Sequence, residues 1–301
     1  MSADILPDHE FALCLTHDVD RPYKGLQAPY YALADRDPSH LAALAPGNNP
    51  WWQFETVKAL EDDLGVRSAF YVLQEESILA KSPGKWLRPR YWIEHFGRYD
   101  VFDADVLEVL HDLDDGGWEI GLHGSYDSGD DRQALCEQKI ALEAALGHEV
   151  RGGRQHHLRL GDETWAHYDA VGLDYDTSLG SSSEYGFQHG YRPKRPFDDD
   201  FLVFPLTVMD IALPDPDAEF EAAWRECERL LDEAAANDAV MTALWHPRMF
   251  ADEFAGHRRL YRRLVEGALD RGAWVGPPAD LHDRLVETRH EPAGVAGVND
   301  R

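Results

Sequence analysis

Lysine is scarce in this chain of 301 residues: six, beside 23 arginines, and these 29 cations face 56 aspartates and glutamates. The resulting net charge of −27 argues against a general nucleic-acid binder, because phosphate contacts need Lys and Arg to neutralise a polyanion. It also works against docking on an anionic membrane. Cysteine is nearly absent. Cys14, Cys136 and Cys227 are odd in number and far apart, so there is neither a disulfide framework nor a Cys-x-x-Cys metal site. No stretch approaches the ~20 apolar residues that span a bilayer. The N-terminus has no basic segment, and its longest apolar run, 11–15, is too short for a signal peptide, which makes the cytoplasm the expected compartment. No G-x-G-x-x-G or G-x-x-x-x-G-K-[ST] follows any apolar run, which weakens a doubly wound nucleotide-binding sheet.

What is present suffices for a large core. The chain is 44% hydrophobic and 11% aromatic, too rich in apolar surface for a disordered acidic protein. Abundant acid with little lysine suits a protein adapted to concentrated salt, where self-repulsion is screened and an acidic shell maintains solubility.

Short apolar runs alternate with amphipathic stretches. Strands are expected at 11–16, 68–73, 118–123, 150–154, 173–178, 201–209 and 240–246, with a weaker one at 273–275. Helical patterns lie at 53–64, 103–115, 131–146, 162–171, 217–236, 254–271 and 279–286. Several end at glycine (Gly65, Gly116, Gly147, Gly172, Gly272), the residue that tolerates the left-handed conformation closing a helix. Seven or eight βα units imply a parallel sheet, and at this length a single (β/α) barrel domain over 1–287, with an open doubly wound sheet as the alternative. Residues 288–301 read as a polar tail. Two connections, 21–50 and 179–200, are long enough to be functional. The first carries Tyr23, Tyr30 and Tyr31, followed by Trp51 and Trp52, flat rings on which a sugar can stack.

Polar residues able to do chemistry collect where strands end. The first strand closes Thr16-His17-Asp18-Val19-Asp20. Alternation puts Asp18 and Asp20 on one side, Cα atoms ~6.5–7 Å apart, so one carboxylate could bind a metal while the other handles a proton. The third strand leads through His123 to Asp127, a usable spacing for two ligands on one ion. After the fourth come Arg154, His156 and His157. In an extended chain Arg154 and His156 share a face and His157 points away, and Arg154 can pair with a carboxylate. Asp210 and His246 end what should be neighbouring strands, an arrangement in which the acid fixes the imidazole tautomer for proton transfer. The C-terminal ends of strands are where barrel enzymes build their sites.

In order and spacing these residues resemble the polysaccharide deacetylases of carbohydrate esterase family 4, over nearly the whole chain from Phe11 to about Leu285. Thr16-His17-Asp18-Val19-Asp20 matches that family's T-F-D-D-G, His123-Gly124-Ser125-Tyr126-Asp127 its H-[ST]-x-x-H, Arg154 its third motif, and Leu244-Trp245-His246 its late Leu-x-His. A variant subgroup with T-H-D-V-D, H-x-S-Y and R-Q-H signatures looks closest. The resemblance implies a distorted (β/α) barrel of seven or eight units and a divalent metal, usually zinc. The implied reaction is hydrolysis of an N-acetyl group from an amino sugar. It makes Asp18 the general base, Asp20 and His123 metal ligands, Arg154 the residue that tunes Asp18, and His246, oriented by Asp210, the general acid. Two departures keep alternatives open. Val19 separates the two acids, so Asp18 and Asp20 could exchange roles. Asp127 stands where the second metal histidine is usual, so the third ligand is His156 or Asp127, with His156 favoured by the face it shares with Arg154. Hydrolysis of a non-sugar amide, iron-dependent oxygen chemistry and a catalytically silent glycan-binding barrel are the competing readings.

Basic residues cluster locally despite the overall charge. Residues 81–98 hold Lys81, Lys85, Arg88, Arg90 and Arg98 against Glu94 alone, and Arg192, Lys194 and Arg195 sit in 185–197 without an acid. On βα connections both islands would border the site and favour an anionic sugar substrate carrying phosphate or carboxylate.

Overall fold

A computed structural model describes residues 5–34 and 36–290. Among these residues nine strands join one parallel sheet: β1 (Ala12–Val19), β2 (Ala69–Leu73), β3 (Glu119–Gly124), β4 (Gly152–Gln155), β5 (Tyr175–Asp176), β6 (Leu202–Val203), β7 (Val208–Met209), β8 (Val240–Leu244) and β9 (Trp274–Gly276). Their order is β6-β5-β4-β3-β2-β1-β8-β7, with β9 on β1. The sheet curls into a distorted (β/α) barrel, as expected, with β1 at its centre. Both faces of β1 and β2 are buried, the signature of parallel strands covered by helices.

The expected helices form as α2 (Phe54–Leu64), α4 (Ala104–Asp115), α5 (Arg132–Leu146), α6 (Thr164–Ala170), α7 (Pro216–Ala236), α8 (Ala255–Asp270) and α9 (Pro278–His290). Asp131 caps α5 by accepting from the amides of Gln133 and Ala134, and Gly65 and Gly147 close α2 and α5 at φ 67° and 85°. Leu230 and Leu231 of α7 and Leu260 and Leu264 of α8 enter the same core as Leu13, Leu15 and Phe70 of the sheet. Two helices, α1 (Ala28–Ala34) and α3 (Pro89–Gly97), lie in segments that carry no clear helical pattern. α9 continues to His290, and the rest of the expected tail falls outside the described residues. No helix among the described residues is long and apolar enough to cross a membrane.

The single strand expected at 201–209 is two. Leu202 and Val203 pair with β5, whereas Val208 and Met209 pair with β8. Pro205 between them has no amide hydrogen for a ladder, so the segment crosses from one edge of the sheet to the other. Residues 179–200 differ as well. Because β5 and β6 are parallel neighbours, this connection must travel from the C-terminal to the N-terminal end of the sheet. Tyr191 O accepts from the amide of Val240 at the start of β8, and Arg192 pairs with Asp238 at 2.7 Å. The second basic island therefore lies at the end opposite the expected site.

Candidate active site

β1 delivers Thr16, Asp18 and Asp20 to one side by strand alternation, and His17 to the other. His17 is buried against the helices, with Nδ1 donating to Trp245 O (2.7 Å) and Nε2 3.0 Å from Glu61 of α2. Glu61 also accepts from Ser68, Trp118 and Tyr261. His17 is thus an anchor beneath the site.

On the open side Arg154 is fully buried and reaches across from β4. Its Nη1 donates to Asp18 Oδ1 at 2.8 Å and Thr16 Oγ1 at 3.0 Å, and its Nε donates to Thr177 O. The two glycines before it are required by packing. A Cβ on Gly153 would lie 1.9 Å from Leu122 O, and one on Gly152 would strike the Tyr175 ring at 2.3 Å. β3 supplies His123, whose partner across the ladder is Arg154. Its Nδ1 sits 3.0 Å from Arg154 O. A carbonyl only accepts, so Nδ1 carries the proton and the Nε2 lone pair faces Asp18 Oδ2 at 3.7 Å. Burial holds His123 below the usual histidine range despite the opposing charges of Asp18 and Asp20.

Asp210 and His246 come together as expected. His246 Nδ1 lies 2.9 and 3.0 Å from the two Asp210 oxygens, and its backbone amide donates to Asp210 Oδ2 at 2.7 Å. Burial alone would raise the Asp210 pKa, but the charge and hydrogen bonds of His246, together with Arg248, hold it below the usual carboxylate range.

Asp20 is occupied differently from its expected role. Its Oδ1 accepts from Arg248 Nη1 at 2.6 Å, and its Oδ2 lies 3.9 Å from His156 Nε2. Burial pushes its carboxyl up, yet Arg248 first, then His246, Arg21 and His156, hold it well below the carboxylate range. Asp127 turns to another cluster: Lys85 at 2.6 Å, the Tyr91 hydroxyl at 3.2 Å and Arg159 at 3.6 Å.

These contacts decide whether a metal fits the set expected from the family resemblance. The His123 and His156 rings are 5.1 Å apart between centroids, but Asp20 is already neutralised by an arginine. Among the described residues, the groups of three donors that all approach within 4.8 Å are Glu94–His156–His157 and Asp215–Asp217–His257. The Asp20–His123–His156 set does not converge on one ion.

His157 also departs from expectation. The chain leaves the extended conformation there, at φ 57° and ψ 23°, so its ring stacks on that of His156 at 4.1 Å instead of pointing away. Glu94 and Arg248 escaped the sequence reading as site residues. For Glu94 the available signal was its isolation as the one acid in a basic stretch; for Arg248, its place two residues after His246.

A groove of about 970 Å³ lies elsewhere, lined by Tyr23, Asn49, Trp52, Glu55, Asp105 and Asp112. Only part of the aromatic loop reaches it. Trp51 is buried and donates to Glu253, which also holds the buried Lys24 at 2.6 Å. That contact fastens the loop to the segment after β8.

No protein-family model matches the sequence, and no curated protein matches it significantly. Solved structures resemble the fold over nearly the whole chain. One described as a polysaccharide deacetylase from Mycobacterium smegmatis overlays with a TM-score of 0.61 at 19% identity, covering 98% of both chains. Another, described as a polysaccharide deacetylase from Pseudomonas aeruginosa PAO1, gives 0.61 at 15% identity over 97% of this chain and 96% of that one. A Puue allantoinase gives 0.61 at 15% identity over 96% and 95%. At such identities the shared property is the fold, a barrel of the polysaccharide-deacetylase type.

Proposed function

We propose that this protein hydrolyses an N-acetyl group from an amino sugar. The observation that carries the reading is the pairing of two acid–base groups at one end of the sheet: Asp18 beside Arg154 and His123, and the His246–Asp210 dyad. In the proposed reaction Asp18 takes a proton from water as its oxygen attacks the acetyl carbon. The C–N bond then breaks, and His246 gives a proton to the leaving amine. Acetate and a free amino sugar result. Asp210 holds the His246 Nδ1 proton, leaving Nε2 as the transferring atom. Because the expected metal set does not converge, no step is routed through an ion.

Acetate release from a panel of N-acetylated sugars tests the proposal, with Asp18→Asn as the control. Full activity in that variant refutes the scheme. Sugar binding without acetate release in the wild type makes the protein a glycan-binding barrel. The overlay on an allantoinase favours one second reading, hydrolysis of a non-sugar amide, so allantoin belongs in the panel. The anionic character proposed for the sugar now rests on residues 81–98. There Lys81 pairs with Glu75 at 2.7 Å and Lys85 with Asp127, leaving Arg88, Arg90 and Arg98 to attract it. A cytoplasmic location and adaptation to concentrated salt belong to the same proposal.

A further inference from the structure

The two histidines that follow β4 meet the one acid of the basic 81–98 stretch beside the site. Glu94 on α3 brings Oε1 to 3.0 Å from His157 Nε2 and Oε2 to 3.6 Å from His156 Nδ1. The side chains of Glu94 and His156 are 4% exposed and that of His157 40%, so the cluster is enclosed on one side and open on the other. His156 Nδ1 is buried without a hydrogen-bond partner, a state that native interiors largely avoid. The backbone is bent to create the arrangement. His157 and Leu158 both adopt positive φ, 57° and 54°, a conformation that costs about 1–3 kcal/mol per non-glycine residue and brings two consecutive rings onto the same side.

We propose that Glu94, His156 and His157 bind a divalent transition-metal ion such as zinc, with Asp20 as the outer carboxylate that orients His156. Two imidazoles and one carboxylate form a donor set that zinc accepts while keeping a position open for water or substrate. His156 Nδ1 is a buried nitrogen with no hydrogen-bond partner, 3.6 Å from Glu94 Oε2, and so is open to a cation between them. A ligating histidine commonly turns its second nitrogen to a carboxylate, and Asp20, itself fixed by Arg248, faces His156 Nε2. Asp20 thereby changes from ligand to orienting group. The other convergent set, Asp215–Asp217–His257, is weaker. Asp215 caps α7, and both Asp217 oxygens are engaged by the Gly256 amide and His257 Nδ1.

The inference stands apart from what the protein hydrolyses, and its test reads binding alone. The whole chain, stripped with chelator, is titrated with ZnCl2 by calorimetry and with CoCl2 by visible absorption. Wild type takes up a single ion and develops a cobalt d–d band. Glu94→Gln and His157→Asn each weaken zinc binding more than tenfold and remove the band, whereas His123→Asn and Asp127→Asn preserve both. Asp20→Asn weakens affinity by about 10–100-fold, the range for outer-shell carboxylates. His157 is partly exposed, so its variant keeps the fold, which far-UV circular dichroism checks. Loss of the ion in His123→Asn with retention in His157→Asn overturns the assignment, as does a wild type that binds no ion.

Discussion

The two ends of the sheet treat their carboxylates in opposite ways. At the C-terminal end Asp20 is held well below the usual carboxylate range and Asp210 below it, because Arg248 and His246 outweigh the effect of burial. At the N-terminal end Glu119, the first residue of β3, meets the Tyr175 hydroxyl and the Ala279 amide and is pushed up to about 7, chiefly by burial. Arg151, the cation whose charge lowers it, is already shared between Asp174 and Asp283 at 2.8 and 2.7 Å. Burial raises the carboxyl at both ends, so burial alone does not separate the two regimes. The supply of arginine does, and a chain with few lysines has concentrated fully buried or nearly buried arginines where its reactive acids lie.

Removing those cations is the strongest way to break the contrast. Arg154→Met strands Asp18 in the interior and should cost about 3–5 kcal/mol, the usual penalty for breaking a buried pair from one side. Urea unfolding at pH 7 measures it, and a loss below 1 kcal/mol would mean that Asp18 is solvated after all. Asp210→Asn should lower kcat by about 10²-fold or more if His246 needs the charge for proton transfer, and acetate-release kinetics read this directly. The same variant should also flatten the acid limb of stability. A depressed carboxyl contributes stability above its unfolded pKa near 4 and loses it as pH falls through the folded value.

Glu119 carries the reverse sign. With a folded pKa raised to about 7, its contribution is full below the unfolded value and disappears as pH rises through 7. Glu119→Gln should therefore stabilise the protein at pH 8 relative to pH 5, by about 1–3 kcal/mol. Equal shifts at the two pH values would show that Glu119 is ionised throughout. The smallest effect concerns salt. Raising KCl from dilute toward molar should lift Tm through screening of the exposed acids, while leaving the penalty of Arg154→Met nearly unchanged, since enclosed pairs are screened less. A flat or falling Tm removes the case for adaptation to salt.

Much of this was legible in the sequence wherever a local rule applied. Strand alternation placed Thr16, Asp18 and Asp20 on one side, and the glycines after α2 and α5 marked true helix ends. The Asp210–His246 pair followed from neighbouring strand ends. What escaped depends on distant chain. Nothing local shows that α3 carries Glu94 to the histidines, that Arg248 folds back on Asp20, or that His157 turns its ring under a positive φ. The split of 201–209 was foreseeable at Pro205, but which edges its halves join is a property of the whole sheet.

That split segment has a mechanical consequence. Among the described residues, no ladder joins β6 to β7, so the circumference is completed by covalent chain running through residues 204–207. That chain is sewn to both sides: the Phe204 and Leu206 amides donate to Asp176 O and Leu179 O, and the Thr207 amide donates to Thr242 O. One buried segment therefore does the work of a strand pair at this meridian, and a change within 204–207 would be passed to β5 and to β8 together, beside the strand end that carries Asp210.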